Sequence, residues 1–300
     1  MKIALFGKEG QVGWELQRSL AIVGELLATE QDELDFEQLD SLREWIRRHQ
    51  PDVIVNAAAY TAVDQAESDP ERARRINSEA VGVMAEEASR LNAWLVHYST
   101  DYVFDGTKSS SYEEGDEANP LSVYGRTKWE GEEALRSRHD RHLIFRTSWV
   151  FASRGKNFIK TMLRLAKEKE SLRIVADQWG APTSAELLAD VTALALHRVA
   201  NSDQASHLSG TYHLVAAGET NWHEYARYVL ALAGERGVTL KANAQAVVPI
   251  STEAYPLPAK RPKNSRLSTV KVTQAFDVHL PDWQYHVRRC VDELIVQGVS

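Results

Sequence analysis

Apolar residues in this chain come in short continuous runs separated by longer stretches of helical period. Lys2-Ile3-Ala4-Leu5-Phe6 reads as a buried strand, and further strands are predicted over residues 25–28, 53–56, 94–98 and 142–146. Helices are predicted from residue 12 to about 26, and over 39–48, 70–91 and 122–136. Strands alternating with helices of crossover length are the signature of an α/β fold with a doubly wound parallel sheet. Past about Trp149 the pattern changes: Phe151-Ala152-Ser153-Arg154-Gly155-Lys156-Asn157 is loop-like, and prolines cluster between 249 and 262. Strands over 172–175 and 211–215 fit either side of that boundary, and the chain carries no repeat, low-complexity tract or long linker.

The first apolar run reaches Gly7 directly, and Gly7, Gly10 and Gly13 then lead into the first helix. Missing side chains permit a tight turn and close backbone approach, and a helix start offers free N–H groups to a pyrophosphate. The spacing is Gly-x-x-Gly-x-x-Gly rather than the Gly-x-Gly-x-x-Gly of ordinary dehydrogenases. Residues 1–150 are therefore expected to form a dinucleotide-binding domain, and 151–300 a smaller domain for substrate, with some segments crossing back.

Composition narrows the partners. With 300 residues, 43% hydrophobic and 26% charged, the chain is an ordinary globular sequence, able to bury roughly three quarters of its unfolded surface. A net charge of −7 without a dense Lys/Arg stripe argues against nucleic acid or an anionic membrane. Cys290 is the only cysteine, which excludes an intrachain disulfide and a thiolate metal cluster. Met1 leads straight into the first strand, with no basic leader and no apolar stretch of spanning length, so a cytoplasmic location is the expectation.

Candidate chemistry sits in Tyr124-Gly125-Arg126-Thr127-Lys128. A Tyr four residues before a Lys shares its helical face, so the ammonium can favour the phenolate. Bringing a phenol from about 10 to near 7 requires roughly 4 kcal/mol. A cation about 5 Å away at an effective dielectric near 20 supplies on the order of 3 kcal/mol. Lys128 is thus expected to do most of the tuning, with the positive ring of an oxidised nicotinamide adding to it. Reducing a ketone needs a hydride donor, a proton donor and a hydrogen bond to the oxygen, which Tyr124, Lys128 and Thr100 can provide together with a nicotinamide.

The sequence resembles the extended short-chain dehydrogenase/reductase superfamily and, within it, the dTDP-4-dehydrorhamnose reductases, over essentially its whole length. Ordered anchors carry the resemblance: Gly7-Lys8-Glu9-Gly10-Gln11-Val12-Gly13, Val55-Asn56-Ala57-Ala58-Ala59-Tyr60-Thr61, Ser99-Thr100-Asp101-Tyr102-Val103-Phe104-Asp105-Gly106 and the Tyr124–Lys128 run. Arg146-Thr147-Ser148-Trp149-Val150, Asp177-Gln178-Trp179-Gly180-Ala181-Pro182-Thr183 and Arg261-Pro262-Lys263-Asn264-Ser265-Arg266-Leu267 complete the set. It implies a Rossmann-type sheet with a smaller C-terminal substrate-binding domain. It also implies reduction of the C4 ketone of dTDP-6-deoxy-L-lyxo-4-hexulose to dTDP-L-rhamnose, a nucleotide sugar of polysaccharide biosynthesis. A 4,6-dehydratase of the superfamily carries Asp-Glu after the Thr, whereas here Asp101 precedes Tyr102. A 4-epimerase and a catalytically idle regulatory subunit stay open as alternatives.

The same resemblance implies residue roles. Gly10, Gln11 and Val12 match the phosphate loop, Asp35 and Phe36 the adenine-facing pair, and Ala59, Tyr60, Thr61 and Tyr98 further cofactor contacts. Thr100, Asp101 and Trp149 match substrate positions, and Arg261 suits a diphosphate. Glu15, Glu186 and Asp190 match carboxylates that hold Mg2+ between subunits in some bacterial relatives, which implies a homodimer. Glu30 is the first acid after the second strand and has no basic residue nearby, so NADH is favoured over NADPH.

Overall fold

The computed structural model describes residues 1–29, 33–202 and 204–298. The apolar runs become β1 (Lys2–Phe6), β2 (Glu25–Thr29), β3 (Val53–Asn56), β4 (Trp94–Thr100) and β5 (His142–Thr147). The first helices are α1 (Gln11–Leu20), α2 (Leu39–His49) and the short α3 (Val63–Ala66) and α4 (Pro70–Arg74). They are followed by α5 (Ala80–Leu91) and α6 (Val123–Arg136). The later half runs through β6 (Val150–Phe151), α7 (Phe158–Glu168), β7 (Leu172–Val175), β8 (Trp179–Gly180), β9 (Thr183–Ser184) and α8 (Ala185–Ala200). It ends with β10 (Gly210–His213), β11 (Thr220–Asn221), α9 (Trp222–Glu235), β12 (Val247–Ile250), α10 (Val270–Phe276) and α11 (Trp283–Val296).

Six of these strands form one parallel sheet in the order β10-β5-β4-β3-β1-β2. Alternate side chains of a strand point to opposite faces, and both faces here are covered. Ile3, Leu5, Val55, Val96 and Phe145 pack with Leu16 and Leu20 of α1 and Leu188 and Leu196 of α8. Ala4, Phe6, Ile54, Leu95 and Ile144 pack with Leu42 and Ile46 of α2 and Met84 and Ala88 of α5. The chain leaves β1 towards β2 on one side and then returns to β3 on the other. That reversal opens a crevice at the carboxyl ends of the strands.

Three sequence expectations change. The first helix ends at Leu20, not near residue 26, because the chain turns there to start β2: Val23 and Gly24 both donate to the Leu20 carbonyl. The helix expected over 70–91 is divided by a π-helical turn at Arg75–Glu79, between α4 and α5. Within that turn Asn77 is buried, and its side chain binds both the N–H and the carbonyl of Tyr60. Of the two strands left open, residues 210–213 join the main sheet beside β5, whereas β7 pairs with β12 in a separate two-stranded sheet. No helix among the described residues is long and apolar enough to cross a membrane.

Candidate active site

The carboxyl ends of β1, β3, β4 and β5 open onto a cavity of about 570 Å3, the size of a small-molecule site. Gly7, Gly10, Gln11 and Val12 line one wall, together with Leu34, Asp35 and Phe36. Gly7 sits at φ +81°, and a Cβ on it would lie 2.8 Å from the Ala58 nitrogen, so the turn can pass over the end of β3 only without a side chain. Gly13 stands outside the cavity and closes α1 onto the loop: a Cβ there would lie 1.9 Å from the Gly7 carbonyl oxygen. Gly10 is the N-cap of α1, and the N–H groups of the first helical turn have no acceptor within the helix. Asp35 Oδ1 accepts the Glu37 N–H at 2.9 Å, and Phe36 lies edge-on to Phe6, so the ring serves the core as well as the wall. Glu30, the acid that favours NADH in the sequence reading, lies outside the described residues.

Ala59 and Thr61 line the cavity, but Tyr60 between them does not. Its backbone is held by Asn77, and its ring faces Arg72. Tyr98 lines the cavity, yet its hydroxyl is hydrogen-bonded to Thr192 of α8 at 2.6 Å.

Helix α6 starts at Ser122, whose Oγ accepts the Gly125 N–H at 3.1 Å. That start brings Tyr124 and Lys128 into the cavity wall together with Thr100 at the end of β4 and Asp101 just after it. Lys128 is 2% exposed, and its Nζ donates to the Tyr98 carbonyl at 2.6 Å and lies 3.3 Å from His97 Nε2. Burial lowers Lys128 to about 8, against the pull of Glu132. Burial pushes the Tyr124 phenol up to about 12; the Thr100 hydroxyl draws it down and Asp101 pushes it further up. A phenol brought near neutrality by Lys128 is therefore not what the folded chain holds. The apolar surroundings disfavour both charged forms, and Nζ is engaged by a strand carbonyl 30 positions away instead of the phenol.

Burial likewise raises Asp101 to about 6. Its Oδ1 accepts from the Thr100 hydroxyl at 3.0 Å, whereas Oδ2 meets no hydrogen-bond partner among the described residues. Behind Lys128, Glu132 is fully buried and held ionised by Arg146 at 2.7 Å and Arg136 at 2.9 Å.

Trp149 also lines the cavity. It adopts φ +50°, costly for a bulky residue, and stacks on Trp222 of α9 at 3.8 Å. Arg261 is not in the cavity wall: its guanidinium grips Asp64 of α3 through two bonds of 2.8 and 3.0 Å. That pair accounts for the lowered Asp64 carboxyl and fastens the 259–261 segment beside the site. Glu15 and Glu186 share a small recess with Glu293, away from the cavity, and Asp190 is bound by Arg18 and Ser19. Glu186 faces His286 and Arg289, which hold it near 2. Among the described residues of one chain, no group of three or more His, Cys, Asp or Glu is arranged to hold a metal. The sequence reading missed Tyr102, Thr147, Ser148 and Val150, all in the wall, and His97 behind it. The first four lie inside the anchor runs quoted above, but nothing in the alternation of a buried strand distinguishes His97 from a core residue.

A family model described as "RmlD substrate binding domain" matches residues 1–296. The chain is 52% identical over 298 residues to a dTDP-4-dehydrorhamnose reductase of Salmonella typhimurium, covering 98% of each. It is 49% identical to one of Burkholderia thailandensis, over 99% of this chain and all of the other. Among solved structures, a dTDP-4-dehydrorhamnose reductase of Clostridium acetobutylicum superposes with a TM-score of 0.89 at 34% identity, over 98% of this chain and 100% of that one. One of Bacillus anthracis, in complex with NADP, gives 0.88 at 32%, over 97% and 99%. On cavity and full-length similarity together, this chain belongs to the RmlD family of dTDP-4-dehydrorhamnose reductases.

Proposed function

We infer that this protein reduces the C4 ketone of dTDP-6-deoxy-L-lyxo-4-hexulose to give dTDP-L-rhamnose, using a nicotinamide dinucleotide. The observation that carries the reading is the convergence of Tyr124, Lys128 and Thr100 on the same cavity as the Gly7–Val12 loop. The donor set fits the cofactor: a side-chain-free turn, unpaired N–H groups at the start of α1, and Asp35 and Phe36 beyond them. When bound there, the dinucleotide supplies the hydride.

The chain's own residues do the rest. Tyr124, protonated throughout the neutral range, donates its phenolic proton to the carbonyl oxygen as negative charge develops there. The Thr100 hydroxyl, whose one hydrogen rests on Asp101 Oδ1 in the structure, would turn it to the same oxygen, and Lys128, tied to the Tyr98 carbonyl, lines the same cavity. Asp101 and Trp149 would bound the sugar, with Tyr102 standing where a dehydratase carries its second acid. We place the dinucleotide in residues 1–150 and the sugar nucleotide against 151–300, the strand β10 and helix α8 crossing back to the first unit. A soluble cytoplasmic enzyme with no nucleic-acid or membrane partner fits this reading.

Loss of reduced-nicotinamide absorbance on adding the keto sugar nucleotide tests it. An idle subunit gives no loss, and a 4-epimerase gives no net consumption. Parallel titrations test the cofactor: NADPH binding more than about tenfold tighter than NADH would overturn the preference for NADH, a difference of roughly 1.4 kcal/mol. Within one chain Glu15, Glu186 and Asp190 do not form a metal centre, so Mg2+ is proposed only between two copies. Sedimentation with and without chelator decides, and an unchanged distribution would remove both ion and metal-dependent dimer.

A further inference from the structure

Three side chains from three elements stand in line, two of them behind the cavity wall and the third in it: Asn56 at the end of β3, His97 in β4 and Lys128 in α6. Their hydrogens can be assigned from one fixed point. The Ala58 backbone N–H can only donate, and it lies 3.1 Å from Asn56 Oδ1. The Asn56 amide must therefore turn its NH2 towards His97 Nδ1, at 3.1 Å. His97 is fully buried, and burial together with the neighbouring Lys128 keeps it neutral. A neutral imidazole carries one N–H; with Nδ1 accepting from Asn56, the proton resides on Nε2. That N–H points at Lys128 Nζ, 3.3 Å away. An ammonium has only hydrogens to offer it, whereas a neutral amine has a lone pair.

We propose that His97, locked by Asn56 as the Nε2–H tautomer, is a positioning residue that faces Lys128 with a hydrogen-bond donor and so sets how readily Lys128 gives up its proton. The inference rests on the reductase reading and deepens it, since Lys128 shares the cavity wall with the proton donor Tyr124. Other groups act on Lys128 too. From α6, Glu132 favours its charged form; Arg146 of β5 and Arg136 of α6 offset that carboxylate, and Ser99 of β4 donates to it. Tyr124 of α6 and Asp101 after β4 face the same cavity. Burial by itself lowers the affinity of Lys128 for its proton, and a donor facing it from β4 would add to that effect.

The test is the pH profile of kcat/KM. Wild type should lose activity through an alkaline limb at about 8, as Lys128 discharges. In His97→Asn the Oδ1 still accepts from Asn56, but no N–H reaches Lys128. The limb should then move up by roughly half a unit or more. An unmoved or lowered limb, even with reduced kcat, would leave His97 a packing residue and overturn the proposal. Spectra of 15N-histidine-labelled wild type give an answer that needs no variant and no turnover: Nδ1 should be unprotonated and Nε2 protonated, and the opposite tautomer overturns the assignment. A wild type with that tautomer but no consumption of reduced nicotinamide would end the reductase reading alone.

Discussion

On the proposed mechanism turnover depends on Tyr124, and its raised phenol has it act as an acid, in the direction of reduction. Tyr124→Phe keeps the ring against Tyr102, at 5.7 Å and nearly perpendicular, while removing the proton. It should lower kcat by roughly 10²- to 10⁴-fold, with the cofactor Kd changed by less than about twofold in a fluorescence titration. Wild-type turnover would end the proton-donor assignment. Asp101 makes a second residue-scale prediction. A carboxyl raised from 3.8 to about 6 binds its proton more tightly folded than unfolded, so its stabilising contribution is complete below about pH 4 and lost as pH rises through about 6. Asp101→Asn escapes that loss, and should be more stable than wild type at neutral pH by at most about 3 kcal/mol, the gain vanishing in acid. Urea midpoints followed across pH check this; parallel curves for the two proteins would refute it. Positions were legible at this scale and charge states were not. Helical spacing puts Tyr124 and Lys128 on one face, but what Nζ meets is the Tyr98 carbonyl and His97, a relation no local pattern encodes.

At the scale of elements, the start of α1 decides whether a dinucleotide can be held. Gly13 lets the helix close against Gly7, and an added methyl would sit 1.9 Å from that carbonyl with only backbone to yield. Gly13→Ala should weaken binding of the nicotinamide cofactor by about tenfold or more and cost roughly 1–3 kcal/mol of stability. Titration and thermal melting measure the two effects, and an unaltered Kd would show that the loop tolerates the shift. The five principal strands were readable to within two residues because buried parallel strands are continuous apolar runs between turn signals. The π-turn at Arg75–Glu79 was not readable, because its cause is tertiary: Asn77 bridges Tyr60 and Thr127, and Gly131 of α6 packs so close that a Cβ would lie 2.1 Å from the Asn77 carbonyl. Periodicity reports which face is buried, not what a polar side chain in that face is bound to.

Over the whole molecule, alternation announced the doubly wound sheet, but long-range pairings such as β7 with β12, or Arg261 with Asp64, carry no period by which a sequence could reveal them. The most consequential of these joins the two halves at Trp149. This residue is among the last of the first half and lines the cavity, yet its strained backbone is supported by the second half. Trp222 of α9 stacks on its ring at 3.8 Å with 19° between planes, and Gly180 of β8 is close enough that a Cβ would lie 2.9 Å from the indole. A left-handed conformation at a tryptophan persists only where the surroundings hold it. Removing the stack should therefore let Trp149 relax and blur the part of the wall that it lines. Trp222→Ala should raise KM for the sugar nucleotide by about tenfold, the worth of roughly 1.4 kcal/mol of lost aromatic contact. Because Gly7, Gly10 and Gln11 line the cavity and Trp222 does not, the cofactor Kd should stay within about twofold. An equal loss of cofactor and sugar affinity would mean that the second half supports the whole crevice, and that the division of labour between the halves is wrong.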